Sequence, residues 1–383
     1  MKKYLAFIYT VLQIFLSLEA YAILNNETEL DFDGLAEKSA GYSVATSENT
    51  VAVAIKGIND DSDDAVYIFK GEFDIIQGKW IHVLQQKLTS SDIYNAIIAV
   101  PPGIAPPFSN QKLRFAQIAL DKDKLIIGAQ VSDVPLWDGF YFFMAYIFER
   151  DVNNIWNYKA TLKNNETVFL NEGPPKPSER VAVAIKGDVA AVGQCDTTSD
   201  KPGRVLVYKR YQDGVWNQYP QKLLTVVGID SEVSVSFGWS LAIDEIGNAL
   251  FVGAPNRLED ADGVVYIHNY KINQDGDLYQ FESGGVLQTN NGSNFGAGFG
   301  RSIAISGDGK ILIVGAPFTD LTSITSFPFV SNLYTNKGKV YIYEQGAENL
   351  EDGWSLKQEL SSENWQNNTL RFLHGRLYCT QSY

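Results

Sequence analysis

Sulfur and histidine are scarce in this 383-residue chain, which has two cysteines, two methionines and three histidines. Two cysteines allow at most one disulfide, Cys195 to Cys379. In an oxidising compartment that bridge would tie the C-terminal tail down, and two unpaired thiols fit the sequence equally well. The histidines, His82, His268 and His374, give poor signals for catalysis. No Gly-x-Ser-x-Gly elbow, His-Glu-x-x-His pair or phosphate-cradling glycine loop occurs. Basic residues are in the minority, 31 against 45 acidic ones, for a net charge of −14. With no basic stripe to offset that charge, nucleic acid is excluded as a partner. Beyond the first 22 residues, no stretch approaches the roughly eighteen apolar residues of a membrane span.

Residues 1–22 read as a secretory signal peptide. Lys2 and Lys3 precede an apolar run from Tyr4 to Leu18, and Ala20-Tyr21-Ala22 is a small-x-small cleavage site. The mature chain is therefore expected outside the cell. Asn26, Asn165, Asn291 and Asn367 each open an Asn-x-Ser/Thr sequon, and all four fall in expected loops or termini, where a glycan fits.

What the chain does have is glycine, 32 residues, and aromatics at 13%, a mix that favours strands and turns over helices. Phe299 to Pro317 reads as two strands joined by a tight turn. Ser302, Ala304 and Ser306 alternate with Ile303 and Ile305. Ser306-Gly307-Asp308-Gly309 supplies the turn, Ile311 to Val314 suits a strand buried on both faces, and Gly315-Ala316-Pro317 stops it. Copies begin at Gly41-Tyr42-Ser43, Phe115-Ala116-Gln117, Ala182-Val183 and Phe237-Gly238-Trp239-Ser240. Ala45, Ala119, Ala184, Ala242 and Ala304 recur at intervals of 74, 65, 58 and 62 residues. A strand-only repeat of that length points to a propeller blade.

Phe-Gly-x-Ser followed by Gly-Ala-Pro resembles the FG-GAP repeat, the blade unit of integrin α-subunit propellers and related surface proteins. The resemblance covers about residues 41–360. It implies an all-β fold, a β-propeller of four-stranded antiparallel blades. Two further strands per repeat agree with it. The third is Val66 to Phe69, Ala145 to Phe148, Val205 to Tyr208, Val265 to His268 and Val340 to Tyr343. The fourth runs from Trp80, Trp156, Trp216, Tyr279 and Trp354 to a leucine. Small residues in the first strand suit the crowded axis, and the outer aromatics read as packing between blades. His268 falls in a Phe or Tyr slot and reads as a packed core residue.

The expected organisation is five repeats, about 41–91, 113–163, 180–227, 236–288 and 298–360. Residues 23–40 are a possible ring-closing segment, and 361–383 are a tail or the start of a truncated sixth repeat. The family's calcium loops are not carried over, because the first-to-second-strand loops are too short and several place lysine at the cation position. No metal and no cofactor are expected. The resemblance implies a secreted recognition or adhesion module, without catalysis, for an extracellular protein or cell-surface ligand. A propeller-scaffold hydrolase or lyase and a coat or matrix protein are the alternatives. Long connections at one end of the blades supply the ligand-face candidates: Trp137, Phe327, Phe329, Phe108, Asp60, Asp61, Asp63, Asp64, Glu259 and Asp260. Ser91 to Asn110 reads as one such irregular link.

Overall fold

A computed structural model describes residues 39–56, 64–75, 79–98, 112–132, 142–163, 181–194, 203–211, 214–218, 236–244, 248–255, 263–272, 278–289, 297–317, 338–346, 353–361, 368–373 and 376–381. Residues 1–22, expected to be a signal peptide, the four sequon asparagines, Cys195 and His374 lie outside the described residues. The fold is nearly all β, and five four-stranded antiparallel sheets form the blades of a β-propeller. The chain divides into two compact units, Met1–Pro174 and Pro175–Tyr383.

The first unit holds two blades. Blade 1 is β1 (Ser39–Ser47), β2 (Thr50–Lys56), β3 (Ala65–Asp74) and β4 (Lys79–Thr89), and a helix, α1 (Ser90–Ile98), follows it. Blade 2 is β5 (Lys112–Asp121), β6 (Lys124–Ser132), β7 (Phe142–Arg150) and β8 (Trp156–Lys163). The second unit holds three. Blade 3 is β9 (Val181–Lys186), β10 (Val189–Gln194), β11 (Arg204–Arg210) and β12 (Trp216–Gln218). Blade 4 is β13 (Ser240–Ile243), β14 (Ala249–Ala254), β15 (Val264–Ile272) and β16 (Leu278–Gln288). Blade 5 is β17 (Ser302–Ile305), β18 (Ile311–Ala316), β19 (Lys339–Gln345) and β20 (Trp354–Ser361). A separate hairpin, β21 (Asn368–Leu373) with β22 (Arg376–Gln381), ends the chain.

Pairing registers show how closely the blades repeat. Ser43, Gln117, Ala182, Ser240 and Ser302 sit opposite Ala54, Gly128, Gly193, Gly253 and Gly315. In four blades the third and fourth strands also share a β-bulge at one place, after Ile68, Ile147, Ile267 and Ile342. The extra residues are Gln85, Lys159, Gly284 and Lys357.

The Phe-Gly-x-Ser and Gly-Ala residues of the repeat have separate mechanical tasks. Phe237 lies edge-on to Tyr266 and His268 of its own blade, with centroids 5.5 and 6.2 Å apart. Phe299 repeats this against Tyr341 and Tyr343, at 5.3 and 6.3 Å. His268 is thus a packing residue. The glycines join blades. A Cβ on Gly193 would strike the carbonyl of Gly238, and one on Gly253 the carbonyl of Gly300. Gly238 and Gly300 have φ of +86° and +85°, in the left-handed region that favours glycine. Their own Cβ atoms would stand 2.8 Å from the Arg204 carbonyl and 2.7 Å from that of Val264. Ser240 Oγ completes the joint by donating to the Gly300 carbonyl at 2.7 Å.

Blade 1 has Ala54 in this glycine slot and joins blade 2 with polar side chains instead. The Ile118 N–H donates to Ser43 Oγ at 3.1 Å and the Lys122 N–H to Ser47 Oγ at 2.8 Å. At the outer rim the Gln86 amide bonds both backbone groups of Trp156: Oε1 accepts its N–H at 2.8 Å and Nε2 donates to its carbonyl at 3.1 Å. Between these clamps lies a core of Ala52, Val66, Ile68, Leu113, Phe115, Tyr146 and Phe148.

Two expectations are corrected here. The link after blade 1 is not irregular throughout, because α1 occupies Ser90–Ile98. A capping box starts it: the Asp92 N–H donates to Thr89 Oγ1 at 3.0 Å, and Asp92 Oδ2 accepts the Thr89 N–H at 3.0 Å. Ile93 then buries fully against blades 1 and 2. The Ile311 to Val314 run is not buried on both faces either. Leu312 and Val314 are buried, while Ile311 is 42% and Ile313 36% exposed.

Gly253→Ala is expected to overpack the joint between blades 4 and 5 and lower stability by about 1–3 kcal/mol. Gly346→Ala, whose nearest neighbour would be Ser355 Oγ at 3.8 Å, should change the denaturation midpoint far less. Equal midpoints for the two variants would refute the joint. Ser236 sits in the place that Gly298 takes in blade 5, at φ +76° against +69°. It is fully buried, and its hydroxyl has no partner among the described residues. Ser236→Gly should therefore raise the midpoint, by about 1 kcal/mol or more in stability. A drop would show that the hydroxyl contributes to the fold.

Candidate functional site

Each blade has a turn end and a link end. First-to-second and third-to-fourth turns close the turn end. The second-to-third connections, and the links arriving from the previous blade, belong to the link end.

The described acids at the turn end hold their own loops. Asp151 Oδ1 accepts the N–H groups of Asn153 and Ile155, at 2.8 and 2.9 Å, and Oδ2 accepts from Asn157 Nδ2 at 3.1 Å. These bonds, chiefly the one from Ile155, hold its carboxyl below the ordinary value of 3.8. Asp308 is likewise lowered, first by the hydrogen bond from the Ser306 hydroxyl and then by the Lys310 N–H. Asp244 Oδ1 accepts the Asn248 N–H at 2.6 Å. Such Asx-type turns leave these carboxylates committed to backbone amides. Burial pushes the phenols of Tyr146, Tyr208 and Tyr270 up and the imidazole of His82 down. At neutral pH these phenols keep their protons, and burial disfavours the charged form of this imidazole.

Asp64 is corrected from ligand-face candidate to joint residue. Its side chain is fully buried. Oδ2 accepts the Phe115 N–H at 2.7 Å, and Arg114 Nη1 donates to Oδ1 at 3.3 Å. Its own carbonyl accepts the Ser90 N–H at 3.0 Å. By register, Gly203, Gly263 and Gly338 hold this place in blades 3, 4 and 5. A Cβ on Gly263 would lie 2.9 Å from the Phe299 nitrogen. Where the second unit brings backbone directly against backbone, the first inserts a carboxylate. The other ligand-face candidates, Trp137, Phe327, Phe329, Phe108, Asp60, Asp61, Asp63, Glu259 and Asp260, lie outside the described residues.

At the link end stand residues that the sequence reading passed over. They occupy the variable slot of Phe-Gly-x-Ser. In the second unit these are Trp239 and Arg301, in consecutive blades. The Arg301 guanidinium lies 4.8 Å from the centre of the Trp239 ring, and both side chains are partly exposed. The Trp239 N–H donates to the carbonyls of Ser236 and Gly253, each at 3.1 Å, which fixes the residue at the mouth of β13. In the first unit the slot holds Tyr42, with Lys56 Nζ 3.8 Å above its ring. A guanidinium stacked on an indole offers a ligand both a flat apolar surface and oriented N–H donors. The signal was legible: a Tyr, a Trp and an Arg recur in one slot, each directly before the serine that faces the joint, Ser43, Ser240 or Ser302.

No family model matches the chain, and no curated protein matches it. Among solved structures, it is similar to the periplasmic gluconolactonase of Pseudomonas aeruginosa, at 14% identity and a TM-score of 0.41, over 84% of this chain and 72% of that one. It is similar to a GH32 β-fructofuranosidase of Bombyx mori, at 13% identity and a TM-score of 0.35, over 88% and 62%. It is also similar to the sialidase of Trypanosoma rangeli, at 12% identity and a TM-score of 0.37, over 82% and 42%. At these values the likeness is one of fold alone. The expectation that the chain catalyses nothing is corrected, since these three similar structures are named as enzymes, and a fold by itself does not fix activity.

Asp64→Ala should leave the Phe115 N–H buried and unpaired and lower stability by about 2–3 kcal/mol. Glu72→Ala, an exposed acid on β3, should as a control leave the midpoint unchanged, and equal losses would refute the role given to Asp64. For Asp151 the folded-state carboxyl is depressed, so its contribution is present above the ordinary value and disappears as pH falls through the folded one. Asp151→Asn should therefore destabilise at neutral pH and not at pH 2. A destabilisation independent of pH would contradict this.

Proposed function

We propose that this chain is a secreted propeller that recognises an extracellular or cell-surface ligand at the link end of its blades. In the second unit the contact point is the Trp239–Arg301 pair. One observation carries the reading: the two ends of a blade differ in kind. Described turn-end loops are short and satisfy their own polar groups, whereas the link end carries an aromatic–cation pair in each unit. The long connections 256–262 and 318–337, with Glu259, Asp260, Phe327 and Phe329, start and finish at strand ends beside that pair. Aromatic and arginine side chains dominate contact energies where they meet a partner. Secretion rests on the signal peptide read in residues 1–22, and membership among FG-GAP proteins on the glycine joints that the repeat's two glycines make.

Hydrolysis of the bound ligand is the second reading. Glu259 and Asp260 fall in the second-to-third-strand connection of blade 4, which opens at the link end, and a pair of carboxylates is the machinery of glycoside cleavage. Arrays of glycans and of extracellular proteins, probed with the purified chain, test recognition. Trp239→Ala with Arg301→Ala should abolish the signal and leave the melting temperature nearly unchanged. Undiminished array binding would remove the pair from the site. Incubating the chain with glycoside and lactone panels separates the readings. Product release lost in Glu259→Gln or Asp260→Asn would establish hydrolysis, and no release from any panel member would leave recognition alone.

A further inference from the structure

The face of blade 5 that points away from blade 4 lacks the cover that its counterparts have. Three positions show this by register. Ile311, Ile313 and Ala304 are exposed, the first two at 42% and 36%. Their counterparts in blade 3, Val189, Ala191 and Ala184, are buried against blade 4. In blade 4, Phe251 and Ala242 are buried against blade 5, with Ala249 packed beside them. The joint glycine tells the same story independently. The next blade's glycine carbonyl covers Gly193 and Gly253, but the three nearest atoms to a Cβ on Gly315 all belong to Ser302 of its own strand pair. Blade 5 therefore presents an apolar sheet face with an unfilled glycine notch, the two halves of a blade joint.

We infer that the C-terminal strand β22 docks on this face as the first strand of a further blade. Its sequence has the register for it. Gly375-Arg376-Leu377-Tyr378-Cys379 aligns with Gly300-Arg301-Ser302-Ile303-Ala304 at an offset of 75 residues, close to the 74 that separate the first two repeats. The alignment puts Cys379 in the small-residue slot that alanine fills in all five blades. It puts Gly375 in the slot of the glycine whose carbonyl covers the preceding blade, and Tyr378 in that of Ile303, which packs against the cluster shared by blades 4 and 5. Arg376–Gln381 is a strand, paired with β21 in this structure. The link also has the reach: Ser361 to Leu377 is 16 residues, against 14 from Gln288 to Ser302, the corresponding ends of blades 4 and 5. The occupant is thus a segment of this chain, and its partner surface is a site that blades 3 and 4 have already filled.

Cross-linking and amide exchange on the full chain test this. With Cys195→Ser and Cys379→Ser as background, Ile313→Cys plus Tyr378→Cys should join within one chain through a short bismaleimide. Separately, amides of residues 376–381 should be protected in the wild type and exchange at least tenfold faster in Ile313→Lys. That substitution changes an exposed side chain, so an unchanged circular dichroism spectrum will confirm that blade 5 still folds. A cross-link between two chains only would overturn the proposal in favour of a second copy on this face. Exchange of 376–381 that is fast in the wild type, or indifferent to Ile313→Lys, would overturn it as well.

Discussion

Backbone meeting backbone at glycine is the contact on which the second unit depends. Where Gly238 meets Gly193 and Gly300 meets Gly253, there is no room for even a methyl group. That closeness lets the first strands converge while the third and fourth strands fan outward with space for Tyr, Phe and Trp. The phenylalanine beside each positive-φ glycine then lies against the third strand of its own blade, within the core shared with the preceding blade. The repeat signature is therefore two instructions placed side by side, one for the apolar core between blades and one for their backbone contact.

The first unit solves the same problem by other means. Ala54 occupies the glycine slot of blade 1, and Asp64, Ser43, Ser47 and Gln86 reach across to named backbone groups of blade 2. Side-chain clamps are directional, and losing one leaves a buried amide unpaired. Glycine contacts carry no such liability but tolerate no substitution. Two units with one fold thus differ in what a single mutation does to them.

Much of this was readable beforehand. Strand positions, the four-stranded blade and the aromatic third strands follow from periodicity and repetition, and β3, β15 and β19 fall where the apolar runs place them. Asp64 was grouped with Asp60, Asp61 and Asp63 because composition cannot distinguish the last residue of a loop from the residue that opens a strand. Only register shows that it shares a slot with Gly263. Helix α1 was concealed by the prolines that follow it, although Thr89-Ser90-Ser91-Asp92 was a legible capping box. The exposed Ile311 and Ile313 could not have been found, because a strand's pattern does not say whether a neighbour covers it.

The bulge shared by four blades has a consequence for changes in chain length. Each extra residue, Gln85, Lys159, Gly284 or Lys357, sits in an outer strand. Deleting one would restore a plain ladder and reverse the side-chain alternation only in the half of that strand beyond it. The same deletion in β10 or β14 would turn the joint glycine away from its partner and take a neighbouring blade with it. Insertions and deletions among descendants of this sequence should therefore accumulate at the rim and be purged toward the axis, so that gaps in an alignment would trace the radius of the propeller.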